Sequence, residues 1–204
     1  MGPGGKVTSI YSNTSEHATD DTMPDGMIAA HTISTLQTLV QQQREQASKG
    51  DTPTPFFVAM GLHKPHLPHI APAKYFDLYP LDNVSLPSNA SRHAPKHAPD
   101  IAWNACGEWK SYKDVQHITK AQGFSRDHPI DDEQTRRQRQ AYFAAASYSD
   151  AQIGRLLTAL DTLGVRNNTV IALWGDHGQW PYVMCTSISR LQPFLPSTWH
   201  LDYV

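Results

Sequence analysis

Two adjacent side chains at the end of an apolar run are the first candidates for chemistry. The run VIALW at 170–174 is followed by Gly175, Asp176, His177 and Gly178. A carboxylate oxygen and a neutral ring nitrogen both bind divalent cations, and the glycines let the backbone turn sharply beside a ligand. A cation held there would neutralise the oxygens of an ester and activate the attacking group. Spacing alone leaves a second interpretation open, in which the aspartate caps a following helix and the histidine fills a turn.

A second polar cluster follows another apolar run, FFVAMG at 56–61. The segment GLHKPHLPH presents His63, Lys64, His66 and His69 among prolines. In an extended, polyproline-like segment residues three apart lie on the same side, so the three histidines are predicted to face one direction beside the charge of the lysine. Such a set suits a bound oxyanion. A solvated loop is the alternative that the spacing leaves open.

These two clusters need a scaffold that brings the ends of two strands together. Short continuous apolar runs such as 56–61 and 170–174 are typical of strands buried on both faces. Because each run follows a helical segment, the predicted fold class is α/β, a mostly parallel sheet with crossover helices. Ligands in open α/β sheets bind beyond the carboxyl ends of the strands. The sequence therefore predicts an anion site beside a metal site.

Helical spacing of apolar residues predicts two long helices, over 25–50 and 131–164. Asp25 is expected to cap the first helix. Asp131, followed three residues later by a glutamine, resembles a capping box at the start of the second. Asp150 falls on the apolar face of the second helix, and it is expected to be a buried carboxylate satisfied by hydrogen bonds. Prolines between 63 and 120 favour extended and turn segments there.

Composition limits the classes of protein to which the chain can belong. It has 204 residues, a formal net charge of -2 and 39% hydrophobic residues, which is typical of a globular domain and not of a basic nucleic-acid-binding chain. Its apolar runs are too short to span a bilayer. The two cysteines, Cys106 and Cys185, suggest neither a disulfide framework nor a metal site. Neither a nucleic acid nor a membrane is expected as a partner.

Glycosylation motifs bear on the compartment. The N-x-S/T pattern occurs at Asn13, Asn83, Asn89 and Asn167, which favours a secretory protein. The first residues lack the charged start and apolar core of a signal peptide as written. A secreted or lysosomal location is therefore expected, with no signal peptide in this chain.

The segments PFFVAMGLHKPHLPHIAPAKYFDLYP and RQAYFAAASYSDAQIGRLLTALDTLGVRNNTVIALWGDHG resemble the sulfatase family of the alkaline-phosphatase-like superfamily over residues 20–178. Within that family, the resemblance is greatest to the branch that acts on sulfated iduronate in glycosaminoglycans. It implies a three-layer α/β sandwich, calcium as cofactor, a sulfated sugar as substrate and hydrolysis of sulfate esters by a formylglycine nucleophile.

The resemblance also assigns roles to individual residues. His66 matches the second histidine of the family's H-x-P-H motif, which contacts the substrate sulfate, and His63 and Lys64 are expected to bind substrate beside it. Asp176 and His177 match a pair of calcium ligands. Lys6 matches the catalytic lysine of an early G-K-x-x-H motif, although a serine stands where the histidine of that motif belongs.

The sequence departs from the family pattern at the nucleophile, because it contains no Cys-x-Pro-Ser-Arg motif. Residues 1–178 are therefore predicted to be a partial catalytic domain and 179–204 a divergent, poorly ordered tail, and the chain is expected to be an inactive internal fragment. Two alternatives remain. One is a phosphatase or phosphodiesterase of the same superfamily, and the other is a non-catalytic form that binds sulfated sugars.

Overall fold

The computed structural model describes residues 11–14, 18–86, 107–123, 125, 128 and 130–175. These residues divide into two compact units, each of which is considered by itself. The loop unit, named for the histidine segment it carries, contains residues 12–14, 18–79 and 141–172. The short-helix unit contains the remaining described residues. The predicted boundary at residue 178 and the tail at 179–204 lie outside the described residues.

Two long helices form where the spacing of apolar residues predicts them. Helix α1 runs from Pro24 to Ser48 and helix α5 from Asp132 to Leu163. Proline suits the first position of α1, where its missing N–H would have had no partner in the helix. Beyond the C-terminal end of α1, Gly50 adopts a φ of +81°, a left-handed conformation that glycine accepts without steric cost. Both helix predictions are confirmed.

The caps of the two helices differ from each other. Asp131 Oδ1 accepts the backbone N–H of Gln134 at 2.7 Å, so the predicted cap of α5 is present. The N-cap of α1 is Met23, and no side chain caps that end. Asp25 lies inside the first turn of α1, buried, with its carboxylate directed at another segment. The prediction that Asp25 caps α1 is therefore wrong.

Helices α1 and α5 are joined in the loop unit by an apolar cluster. Leu36 and Val40 of α1 are buried with Leu160 of α5, and partly buried side chains surround them: Phe56, Leu156, Leu157, Leu163 and Val165. Burial of such side chains contributes about 1.5–3 kcal/mol each relative to exposure. Arg44 Nη2 also donates to the carbonyl oxygen of Leu163 at 2.7 Å, at the end of α5 where a helix dipole favours a cation.

A short sheet and a short helix complete the loop unit. Strand β1 (Tyr11–Thr14) pairs with strand β2 (His69–Pro72), and helix α2 (Ala73–Asp77) follows β2 directly. The second apolar cluster of the unit lies here, and its buried members are Met23, Ala71, Tyr75, Ala144 and Tyr148. This cluster packs β2 and α2 against the middle of α5.

The short-helix unit contains helices α3 (Gly107–Ser111) and α4 (Lys113–Gln122) and the first turns of α5. Its buried apolar residues are Val84, Trp109, Tyr112, Val115 and Ile130. Arg136 Nε donates to the carbonyl oxygen of Val84 at 3.2 Å, which ties the start of α5 to the preceding loop. None of the helices described in either unit is long and apolar enough to cross a bilayer.

The two apolar runs that were predicted to be buried strands are not strands in the described part of the chain. The run at 56–61 has no regular secondary structure and alternates half-buried with exposed side chains, and Phe57 is 88% exposed. The run at 170–174 is exposed throughout, with Val170 at 91% and Trp174 at 75%. A strand buried on both faces needs paired neighbours on each side, and the described sheet contains only β1 and β2.

Candidate functional site

The segment from His63 to His69, called the histidine loop here, brings three of the predicted site residues together. His63 and His66 are exposed, and their ring centroids lie 4.8 Å apart with the planes tilted by 38°. The backbone N–H of His66 donates to the carbonyl oxygen of His63 at 3.1 Å, which closes a tight turn. The peptide bonds Lys64–Pro65 and Leu67–Pro68 are cis. The turn therefore presents two imidazoles side by side at the surface of the loop unit.

Asp25 of α1 binds the start of the histidine loop through two backbone amides. Its carboxylate is 1% exposed. Oδ1 accepts the backbone N–H of His63 at 3.0 Å, and Oδ2 accepts that of Lys64 at 2.8 Å. Hydrogen bonds to an ionised group are shorter and stronger than neutral ones. The first turn of α1 thus fixes two successive amides of the loop.

Lys64 turns its ammonium group back onto the loop. Nζ donates to the carbonyl oxygens of Pro68 at 2.6 Å and His66 at 3.1 Å. Burial lowers the pKa of Lys64, and the charge of Asp25 partly opposes that shift. Two of the three ammonium donors are therefore engaged within the loop, and the positive charge lies at the carbonyl oxygens of His66 and Pro68.

The ring of His66 is oriented by its own neighbour. Nδ1 lies 2.8 Å from the carbonyl oxygen of Leu67. Because a carbonyl oxygen only accepts, Nδ1 must carry the proton of this bond. A ligand oxygen that approaches the ring from the other side would meet Nε2, which is the nitrogen able to donate when the ring is charged.

His69 does not share the direction of the other two histidines. It lies in β2, is 1% exposed and packs edge-on against Tyr142 with ring centroids 5.6 Å apart. Burial, together with the charge of Lys64, lowers the pKa of His69 to about 4, despite a hydrogen bond to the carbonyl of Pro65. The prediction that all three histidines face one way is wrong for His69, because β2 turns its side chain into the core.

The remaining predicted site residues cannot be placed. Lys6, Asp176 and His177 lie outside the described residues. Among the residues that are described, no group of three or more His, Cys, Asp or Glu side chains could hold a metal ion. Asp150, which was expected to be buried, is exposed.

A polar network centred on Asp20, which was not predicted from the sequence, joins the turn before α1 to α2 and α5. Asp20 Oδ2 accepts the hydroxyl of Tyr75 at 2.8 Å, and Oδ1 lies 2.9 Å from Lys74 Nζ. Burial alone would raise the pKa of Asp20, but hydrogen bonds from Lys74, Tyr75 and Gln152 outweigh it and lower the pKa. Because these partners are 54 or more residues away, nothing in the local sequence signals the network.

Comparison with known proteins identifies the family to which these residues belong. A family model described as Sulfatase matches residues 9–190. The chain belongs to the sulfatase family. This membership implies the α/β fold class, of which the described residues supply helices and one two-stranded sheet.

Individual members of the sulfatase family resemble the chain at moderate identity. The iduronate 2-sulfatases of Mus musculus and Homo sapiens are each 36% identical to it over 159 residues, 78% of this chain and 26% of each relative. A protein named Sulfatase from Formosa agariphila is 32% identical over 130 residues, 61% of this chain and 22% of the relative. The chain therefore spans about a quarter of the length of the two iduronate 2-sulfatases that it matches.

Proposed function

We propose that the histidine loop is the sulfate-binding part of a sulfatase active site, whose complete form hydrolyses sulfate esters. The observation that carries this proposal is the pair of exposed imidazoles of His63 and His66, 4.8 Å apart, on a loop whose His66 carbonyl binds the ammonium group of Lys64. Charged or donating groups of this kind attract an oxyanion at close range. Membership of the sulfatase family supports the sulfate group of an ester as the oxyanion that binds there.

Three residues of the loop have a proposed role. His66 meets a sulfate oxygen through Nε2, because Nδ1 is engaged with the Leu67 carbonyl. His63 supplies a second ring next to it. Lys64 contributes positive charge to the loop, and its third N–H is the one through which it would contact a substrate. Lys6 is proposed as a further catalytic lysine, on the strength of the family motif alone.

Calcium is proposed as the cofactor on the same basis. Asp176 and His177 offer a carboxylate and an imidazole, whereas calcium takes about six to eight oxygen ligands. The described residues add no cluster that would complete such a shell. This donor set therefore does not fit calcium unaided.

The proposed substrate is a sulfated glycosaminoglycan sugar, acted on in the lysosome or outside the cell. Similarity to two proteins named iduronate 2-sulfatase supports this substrate class. Two asparagines of the glycosylation motifs, Asn83 and Asn167, are exposed, as sites of glycan attachment must be. Within this substrate class, the sugar that we propose is iduronate.

We also propose that the 204-residue chain does not turn over sulfate esters by itself, since its sequence has no Cys-x-Pro-Ser-Arg motif. Incubation of the purified chain with 4-methylumbelliferyl sulfate and calcium should release no fluorophore above the buffer rate. Turnover that is lost in the His66→Ala variant would contradict this part of the proposal.

Calorimetry with inorganic sulfate tests the binding function. The wild-type chain should bind sulfate saturably at constant ionic strength, and His66→Ala should lose that binding. His31→Ala, which removes an exposed histidine of α1, is the matched control and should bind as the wild type does. Equal sulfate binding by His66→Ala and the wild-type chain would contradict the proposal.

Phosphoryl chemistry is the second candidate. It is favoured by a relative named multifunctional alkaline phosphatase superfamily protein PehA, from Trinickia caryophylli, which is 28% identical over 135 residues. Inorganic phosphate that binds at the same loop more tightly than sulfate would favour this function. The non-catalytic binding form would be favoured if a sulfated oligosaccharide bound the chain saturably in calorimetry and was not hydrolysed.

A further inference from the structure

The histidine loop has no regular secondary structure before β2, so its shape depends on bonds to other segments. The backbone groups of His63 and Lys64 are held from two directions within the loop unit. Asp25 of α1 accepts both amides, and Ser149 Oγ of α5 donates to the carbonyl oxygen of Lys64 at 2.9 Å. Lys64, whose N–H and carbonyl oxygen are both held, therefore has little freedom to rotate about its own backbone dihedrals.

The two anchors are themselves tied together. Tyr148, the neighbour of Ser149 on α5, accepts the backbone N–H of Gly26 at 2.7 Å. Gly26 directly follows Asp25 in the first turn of α1. A Cβ on Gly26 would overlap the carbonyl oxygen of Asp20, so the close packing of the turn before α1 against the first turn of α1 requires a glycine. Two consecutive residues of α5 therefore bind both parts of this arrangement. Tyr148 binds the first turn of α1, and Ser149 binds the histidine loop.

We propose that Asp25 is a positioning residue for His66, acting through the two amides that its buried carboxylate binds. With these amides fixed, the turn closed by the His66 N–H and the His63 carbonyl places the His66 ring where Nδ1 reaches the Leu67 carbonyl. The ring then has one tautomer and one orientation. The effect on sulfate rests on the proposed function, whereas the effect on the ring does not.

The charge of Asp25 and its anchoring role predict opposite effects of an Asp25 substitution on sulfate binding. Asp25 carries a negative charge next to the loop of the proposed anion site, so its neutralisation alone would strengthen sulfate binding. Loss of the anchor would weaken sulfate binding, because the amide group of an asparagine offers one acceptor oxygen in place of two. The direction of the change therefore separates the two accounts.

The test uses the full chain, isotope-labelled, with Asp25→Asn and the matched control Asp150→Asn. Asp150 is exposed on α5, so the control makes the same change of charge without touching the loop. At about pH 9, above the ordinary titration range of histidine, ring-nitrogen shifts report the tautomer of His66. The wild-type chain and Asp150→Asn should show the Nδ1–H tautomer, and Asp25→Asn a mixture of both tautomers.

A sulfate titration at about pH 5.5, below the ordinary titration range of histidine, where a charged ring can donate through Nε2, gives the second readout from the His66 resonances. Asp25→Asn should bind sulfate at least about tenfold more weakly than the wild-type chain, because it loses a hydrogen bond to a charged acceptor. Asp150→Asn should match the wild-type chain. An unchanged His66 tautomer in folded Asp25→Asn, or unchanged or tighter sulfate binding by that variant, would overturn the inference.

Two further outcomes keep the inference separate from the proposed function. If the wild-type chain does not bind sulfate, the proposed function fails, and the tautomer readout alone decides the role of Asp25. If Asp25→Asn does not fold, Ser149→Ala replaces it, since this variant removes only the hydroxyl that holds the Lys64 carbonyl. Ser149→Ala should also show mixed tautomers, and a single Nδ1–H tautomer in it would count against the anchored loop.

Discussion

The phenolic oxygen of Tyr148 accepts the backbone N–H of Gly26 at 2.7 Å, across 122 residues of sequence. The same hydroxyl donates to the carbonyl oxygen of Asp20 at 3.3 Å. One buried hydroxyl thus satisfies a donor and an acceptor of the segment that begins α1. Burial raises the pKa of Tyr148 to about 12, which keeps this hydroxyl protonated and able to donate at neutral pH.

Tyr148→Phe should destabilise the loop unit, because the amide of Gly26 would remain buried without this acceptor. The expected loss is about 2 kcal/mol in the free energy of unfolding, measured by urea denaturation. Tyr79→Phe is the control, since the Tyr79 hydroxyl meets Ser147 Oγ at 2.7 Å in a less buried place. A loss for Tyr148→Phe no larger than for Tyr79→Phe would contradict the account of the hydroxyl.

Alanine at two helical glycines should have opposite effects. Gly26→Ala should cost about 3 kcal/mol in the free energy of unfolding, since its Cβ would overlap a backbone oxygen that cannot move freely. Gly154→Ala, in the interior of α5 with open space around it, should stabilise the chain by about 0.5–1 kcal/mol. Thermal unfolding of both variants checks the pair, and equal effects would contradict the close packing at Gly26.

Acid should destabilise the chain through His69. Burial and the charge of Lys64 lower the pKa of His69 from 6.5 to about 4, so the folded chain binds fewer protons than the unfolded chain between these values. This contribution is complete above about pH 6.5 and falls by about 3 kcal/mol as the pH approaches 4. Unfolding free energies across this range should therefore decline with acid in the wild-type chain.

His69→Phe should flatten that decline, because phenylalanine keeps an aromatic ring against Tyr142 and does not titrate. His31→Phe is the control, and it should leave the acid dependence as in the wild-type chain, since His31 is exposed. The same slope in His69→Phe and the wild-type chain would show that other groups cause the acid sensitivity.

Expression behind a secretion leader tests the proposed compartment. Asn83 and Asn167 are exposed in motifs that accept a glycan. Asn83→Gln and Asn167→Gln should each lower the mass by one glycan, as measured before and after enzymatic deglycosylation. Asn168→Gln keeps the motif of Asn167 intact and should leave the mass pattern unchanged. An unglycosylated wild-type product would count against a secretory protein.

The helices could be predicted from sequence, and the long-range anchors could not. Apolar residues of α1 and α5 recur at helical spacing, and glycines follow the end of each, so local signals suffice. Asp25 also carries a local signal, that of a helix cap, but its carboxylate binds amides 38 and 39 residues away. A local pattern cannot distinguish these two uses of a carboxylate.

Strand burial and the direction of His69 also depend on contacts that are distant in sequence, and neither was predicted correctly. The runs at 56–61 and 170–174 have the composition of buried strands, but burial of a strand depends on neighbours that the run does not encode. The three-residue spacing of His63, His66 and His69 predicted a common face. Pairing of β2 with β1 overrides that spacing for His69, because a strand directs its side chains by a period of two.

The most direct test of the sulfate-binding site is a titration of the isotope-labelled chain with inorganic sulfate at constant ionic strength. The ring resonances of His63 and His66 should shift together and saturate, while those of His31 and the buried His69 should not follow the same curve. Sulfate that leaves the His66 resonances unmoved, or shifts every exposed histidine equally without saturation, would contradict the proposed site.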